Sequence, residues 1–251
     1  MPRPQAPPIL ETRALGRRFG GLQAVRDVSL TLQVGELHGV IGPNGAGKST
    51  LTNLLSGDLA PTSGTIHLDG RDVTQTSVWR RAGLGIGRSY QRTNIFPALT
   101  ALENVRLAAQ ASSRGSVLQA AEARRDLFDA AAGRLDRVGL GWARERLASA
   151  LSHGAQRQLE IAMALATGPK VLLLDEPLAG MGSEESAEMA GLIRSLAADH
   201  AVLLIEHDMD AVFRIADRLT VMVDGAVLAS GTPAEIRTSA EVQRAYLGGH
   251  A

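Results

Sequence analysis

Residues 36–57 read ELHGVIGPNGAGKSTLTNLLSG, and three textures follow one another in them. ELHGVI, residues 36–41, is a short apolar run of strand type. GPNGAGKST is a glycine-rich turn, and LTNLLSG has the apolar spacing of a helix. Strand, turn and helix in that order are what a phosphate-binding loop requires. The loop carries Gly42, four further residues, then Gly47, Lys48 and Ser49. Glycines let the backbone curl until several N–H groups point at phosphate oxygens, and the helix that follows adds its positive N-terminal end. In this pattern Lys48 reaches the β- and γ-phosphates of a nucleotide and Ser49 ligates Mg²⁺. Asn44, Gly45 and Thr50 belong to the same candidate nucleotide-binding loop.

Before this stretch, residues 22–32 read as a strand with polar breaks, and after it residues 64–68 do the same, which predicts a small antiparallel sheet near the N-terminus. From about residue 93 to residue 150 the chain is rich in Ala, Arg, Leu and Glu, and AAEARRDLFDAAAGRLDRVGL has helical apolar spacing, as expected of an inserted helical lobe. Then come KVLLLDEP and AVLLIEHD, short apolar runs (171–174 and 201–205) ending in acidic residues, with a helical stretch at 184–199 between them. Buried parallel strands joined by helical crossovers give that texture. Residues 219–230 read as a hairpin turning at Asp224–Gly225.

Asp175 and Glu176 close the run 171–174. Carboxylates at the carboxyl end of a parallel strand sit beside the phosphate loop in such folds. Asp175 is therefore the candidate for holding Mg²⁺, through water, and Glu176 the candidate general base that polarises an attacking water.

Composition narrows the remaining classes. The chain has 251 residues, 45% of them apolar, which predicts a globular protein. Lys plus Arg and Asp plus Glu number 26 each, so the net charge is zero and the electrostatic footprint of a nucleic-acid binder is missing. With no cysteine there is neither disulfide nor thiolate metal site. Residues 1–8 are proline-rich without an apolar core, unlike a signal peptide, and are expected to be a flexible terminus. The apolar runs fall far short of the ~20 residues that cross a bilayer, so any service to a membrane would go through a partner.

The order of the motifs resembles that of ABC ATPases. LSHGAQRQLEIAMAL, residues 151–165, stands just before VLLLDEP and is similar to the ABC signature, usually LSGGQ followed by a helix. The resemblance runs from Phe19 to His207 and implies a P-loop NTPase (RecA-like) α/β core with an N-terminal antiparallel β subdomain and an inserted helical subdomain at about 93–165, all within one ATPase domain at 9–251. It also implies roles. Phe19 stacks on adenine. Gln91, in SYQRTNIFPALTALENV, matches the glutamine loop that contacts Mg²⁺ or the attacking water and senses a membrane partner. Ser152, Gly154 and Gln156 match the signature that closes over the γ-phosphate bound by an opposite subunit. His207 matches the switch histidine at the γ-phosphate. His153 and Ala155 depart from the usual signature. Gly182 stands where the family loop has an Asp, so the cross-subunit hydrogen bond of that carboxylate does not carry over.

Further segments, RRFGGLQAVRDVSL, RQLEIAMAL, LLIEHDM, GTPAEIR and RAYLGGH among them, look like the LivG-type ATPases of branched-chain amino-acid importers. That likeness implies ATP and Mg²⁺ as cofactors and a second ABC ATPase subunit, identical or homologous, paired head to tail. It further implies two transmembrane permease subunits, a solute-binding protein acting indirectly, and a place on the cytoplasmic face of the inner membrane. Residues 93–105 are the expected docking groove, unless their apolar side chains pack inside the lobe. Two other readings share many of the motifs: a lipopolysaccharide-type exporter ATPase, and a soluble ABC ATPase of iron–sulfur cluster assembly.

Overall fold

A computed structural model describes residues 7–90, 94–112 and 125–247. The flexible terminus expected at 1–8 lies almost wholly outside the described residues, as does Gln91. Two sheets form. The first is antiparallel, in the order β2 (Leu22–Leu32), β1 (Leu10–Phe19), β4 (Ser63–Leu68), β5 (Arg71–Asp72). The second has six strands. Its order is β10 (Ala226–Gly231), β9 (Arg218–Val223), β3 (Leu37–Ile41), β8 (Ala201–Ile205), β7 (Val171–Asp175), β6 (Ile86–Arg88).

The apolar runs of the second sheet are continuous because both faces are covered. Along β7, Val171 and Leu173 point into a core shared with the antiparallel sheet, while Leu172 and Leu174 point into a core shared with the helices. β8 divides in the same way, with Leu203 and Ile205 on one side and Val202 and Leu204 on the other. At about 1.5–3 kcal/mol per fully buried aliphatic side chain, these strands hold the two layers together.

β3, β8, β7, β6 and β9 run parallel, and β10 returns antiparallel to β9. The hairpin expected at 219–230 is therefore present, and it also closes one side of the central sheet. Its two-residue turn has φ 48° at Asp224 and 81° at Gly225, both positive as a tight primed turn demands.

Between β6 and β7 the chain builds a helical layer from α3 (Ala101–Ser112), α4 (Arg125–Arg137) and α5 (His153–Ala166), each packed on the other two. This is the helical lobe the composition announces, but its last third before α5 is two short 3₁₀ turns, Gly141–Ala143 and Ala148–Ala150. The segment expected to dock a partner is divided. Ala101 and Val105 are fully buried, whereas Phe96 is 53% exposed. Asn104, fully buried, pins this bend by accepting from the Phe96 N–H and donating to the carbonyls of Phe96 and Thr100.

The remaining helices are α1 (Lys48–Ser56), α2 (Val78–Leu84), α6 (Ser183–Leu196), α7 (Met209–Ile215), α8 (Pro233–Thr238) and α9 (Ala240–Leu247). α6 confirms the helical stretch read at 184–199 and ends three residues sooner. Among the described residues no helix is long and apolar enough to cross a membrane.

Candidate functional site: a phosphate cleft at the carboxyl ends of the central strands

The register of the central sheet decides which side chains meet. Val40 of β3 pairs with Ile205 of β8, and Ile205 with Asp175 of β7. The three chains therefore leave the sheet together, β3 into the glycine loop, β7 into Glu176 and β8 into Glu206 and His207. Ligands of open α/β sheets bind at such a carboxyl edge.

The loop's glycines are required by what surrounds them. A Cβ at Gly42 would strike the Met222 carbonyl, and one at Gly47, where φ is 95°, would strike the Ala24 carbonyl. Gly47 is also the N-cap of α1 and supplies no side-chain cap. The first N–H groups of α1 lack intrahelical acceptors and are left for a ligand, with the helix dipole favouring an anion.

Lys48 is buried, and its Nζ donates to the carbonyls of Gly42 (2.6 Å) and Pro43 (3.0 Å), so the ammonium lies across its own loop. Burial pulls its pKa below the ordinary lysine value, against the opposite pull of Glu176 and Asp175. Negative phosphate oxygens would relieve that desolvation.

A cleft of about 560 Å³ opens over this loop, in the size range of small-molecule sites. It is lined by Phe19, Asn44, Gly45, Gly47, Lys48, Ser49, Thr50 and Glu176, together with Asp224 and Gly225 of the β9–β10 turn. The structure thus brings the phosphate loop, the candidate base and the candidate adenine-stacking ring to one cavity. Phe19 is 42% exposed at its rim, with the Arg17 guanidinium 4.6 Å over the ring.

Asp175 is buried, and its two oxygens differ. Oδ2 lies 3.4 Å from Arg88 Nη2, while Oδ1 is buried with no hydrogen-bond partner. Burial raises its pKa, Arg88 opposes that, and Glu176 adds to it. A buried carboxylate oxygen without a donor suits a divalent cation. Among the described residues no cluster of three or more His, Asp or Glu could cage a metal. Mg²⁺ is held in that manner, by one or two protein oxygens with phosphates and waters, and the Ser49 hydroxyl and Asp175 Oδ1 fit it.

Arg88 carries no motif signal and was not expected here. From the end of β6 its Nη1 donates to Ser56 Oγ (2.9 Å) and pairs with Asp58 (2.8 Å), its Nη2 faces Asp175, and its guanidinium stacks 4.6 Å over the Tyr90 ring. It fixes which Asp175 oxygen stays free.

The signature residues are elsewhere. Ser152 is the N-cap of α5, its Oγ accepting from the Ala155 N–H (3.3 Å). Ser152 and Gly154 line a separate hollow with Trp142, Met181 and Glu185, not the phosphate cleft. Gln156 lies on α5 beside them. Its Nε2 donates to the carbonyls of Ala148 (3.1 Å) and Leu151 (3.3 Å), bracing the turn that presents Ser152.

Behind that turn, α5 grips the chain leading to Gln91. The buried Glu160 accepts the Tyr90 N–H at 2.9 Å and the Asn94 N–H, and Arg157 donates to the Tyr90 carbonyl at 2.7 Å while pairing with Glu160. Burial raises the Glu160 pKa against these donors.

Comparison with known proteins matches this architecture. The family model described as "ABC transporter" matches residues 25–179. The chain belongs to the ABC transporter family. A second model, "Branched-chain amino acid ATP-binding cassette transporter", matches residues 226–251. Among curated relatives of this ABC ATPase is the high-affinity branched-chain amino acid transport ATP-binding protein LivG of Salmonella typhimurium. It is 42% identical over 96% of this chain and 98% of its own. The BraF protein of Pseudomonas aeruginosa, described in the same terms, is 40% identical over the same shares. The ADP conformation of the ATP-binding cassette MJ1267 superposes with a TM-score of 0.85 at 29% identity, covering 97% of this chain and all of that one. The dimeric structure of the cassette MJ0796 gives 0.77 at 26% identity over 89% and 98%. The fold class and the ATPase activity expected from the sequence both stand.

Proposed function

We propose that this chain hydrolyses MgATP to drive an importer of branched-chain amino acids or related small polar solutes. The observation that carries the solute class is the full-length similarity to LivG and BraF, reinforced by the match at residues 226–251. The chain pairs head to tail with a second ABC ATPase, identical or homologous. It docks on two transmembrane permease subunits at the cytoplasmic face of the inner membrane, and a solute-binding protein acts through those permeases. The helical subdomain at about 93–165 carries the docking surface, with the exposed Phe96 on it.

The chemistry rests on the chain's own groups. The amides of the loop and Lys48 bind the β- and γ-phosphates, and Phe19 stacks on adenine. Ser49 and Asp175 would hold Mg²⁺, with Gln91 contacting it or the attacking water, and the bound ion would supply charge neutralisation at the phosphate oxygens. Glu176 orients the attacking water and takes its proton. His207 contacts the γ-phosphate. Ser152, Gly154 and the α5 N-terminus of the facing chain close over the same phosphate, which is the anion site that a helix N-terminus and a serine hydroxyl make. Support for that division comes from the two separate hollows, one holding Lys48 and the other Ser152.

The test is solute uptake by cells lacking the chain, complemented with wild type or Glu176→Gln. Restored uptake of labelled leucine by wild type alone is the expected result. Uptake of urea or an amide instead would move the solute class, and no restored import would overturn the importer reading.

A further inference from the structure

Glu206 is a buried acid to which the mechanism above gives no part. It follows β8 directly, is 1% exposed, and faces the carboxyl edge where Glu176 and His207 emerge. A carboxylate placed there is costly unless donors meet it, and burial does raise its pKa, opposed by the backbone N–H groups of Leu178 and His207. Those two donors take one oxygen each. Oε1 accepts the Leu178 N–H at 2.7 Å, and Oε2 accepts the His207 N–H at 3.2 Å, with His207 Nδ1 3.7 Å away.

These bonds lie on either side of the catalytic pair. Glu176 has φ 50°, left-handed backbone that a non-glycine residue keeps only where its surroundings over-determine it. On its N-terminal side the Glu176 N–H is fixed to the Ile205 carbonyl at 2.9 Å. On its C-terminal side Pro177 has no N–H, and the next donor, that of Leu178, is fixed by Glu206. The turn closes with the Ala179 N–H on the Glu176 carbonyl at 3.2 Å. The same carboxylate holds the backbone of His207, which issues from a different strand. We infer that Glu206 is a positioning residue for ATP hydrolysis, one buried carboxylate that sets the Glu176 turn and the His207 backbone in register with each other.

The chemistry selects a carboxylate. Two backbone donors need two acceptors, and only an ionised acid offers them without a donor of its own. Glutamine would turn an NH₂ toward one of the N–H groups, and leucine would leave both without an acceptor. Nucleotide affinity should be spared, because Glu206 makes no hydrogen bond to the phosphate loop or Lys48. The inference rests on the reading of Glu176 and His207 given under Proposed function.

The experiment uses the full-length chain as wild type, Glu206→Gln, Glu206→Leu and Lys48→Ala. Amide hydrogen exchange at Leu178 and His207 reads the clamp, and ATP turnover reads its consequence. In Glu206→Leu both amides should exchange at least about tenfold faster while those of Leu203 and Leu204 are unchanged, and kcat should fall by about tenfold or more with the KM for ATP held within about twofold. Glu206→Gln, keeping one acceptor, should fall between wild type and Glu206→Leu in kcat, and it carries the test if the leucine variant does not fold. Unchanged exchange at both amides, unchanged kcat, or kcat and ATP affinity lost together would each overturn the inference. Turnover unaffected by Lys48→Ala would instead overturn the ATPase reading, a failure separate from that of Glu206.

Discussion

Glu176 occupies backbone space that few non-glycine residues enter, at φ 50°. A polar side chain on a strained turn at the rim of the phosphate cleft is placed for chemistry, not for packing. Two substitutions separate binding from turnover there. Lys48→Ala removes the ammonium that lies over the loop, and ATP affinity, read with a fluorescent analogue, should fall at least about tenfold. Glu176→Gln keeps the shape and loses the base. Affinity should stay near wild type while phosphate release falls by about 10² or more. The residues named from sequence are those whose neighbours in the chain carry the signal, such as the glycines around Lys48 and the strand before Asp175. Arg88 and Glu206 went unnamed, and the Asp224–Gly225 turn was legible as a hairpin but not as a wall of the cleft, because distant chain segments bring them in. The Arg26 side chain bonds the Asp224 carbonyl across 198 residues, and no local pattern records such an approach.

At the scale of elements, α1 depends on one side chain. Arg81 of α2 is 1% exposed, and its guanidinium donates to the carbonyls of Leu54, Leu55, Thr74 and Thr76. It meets the C-terminal end of the phosphate-loop helix with a positive charge, where the dipole favours one. Arg81→Ala would leave those carbonyls buried without donors and should cost about 3 kcal/mol in urea unfolding. His200, at the entry to β8, is half-buried, with Nδ1 2.9 Å from the Pro169 carbonyl. Burial depresses its pKa below the ordinary histidine value. The unfolded chain therefore takes up a proton before the folded one does. This contribution is fully present above the unfolded value and is lost as pH falls through it toward the folded one. Stability should decline between pH 7 and 5, and the slope should flatten in His200→Gln, as chemical denaturation at several pH values would show. The elements legible in sequence were the long or strongly patterned ones. β1 escaped because bulges break its alternation. Its register shifts between Thr12 and Leu15 and twice more before Arg18, and Ala14 has φ 49°. β6 escaped because it is three residues long.

Over the whole molecule, the phosphate cleft and the signature hollow are separate cavities, which the proposed head-to-tail pairing would bring together as one site. Motif order carries no distance, so the separation of Ser152 from Lys48 was implied only by the family resemblance, and the structure sets them in different cavities. Glu176→Gln with ATP should therefore form a dimer of twice the 26.4 kDa chain mass, measured by light scattering. ADP, lacking the γ-phosphate that the signature covers, should leave the monomer. The chain's course between sheet and helices adds a constraint on how such a pair can close. At Ser89 the backbone N–H is still bonded to Leu173 of β7, and one residue later, at Tyr90, it is bonded to Glu160 of α5. The return lies at the other end of the same strands, where Gly168, with φ 68°, precedes the Lys170 N–H bonded to the Gly85 carbonyl. The two crossings thus stand at opposite ends of β6, and any tilt of the helices against the sheet would have to turn about the line that joins them, as a door does on two pins.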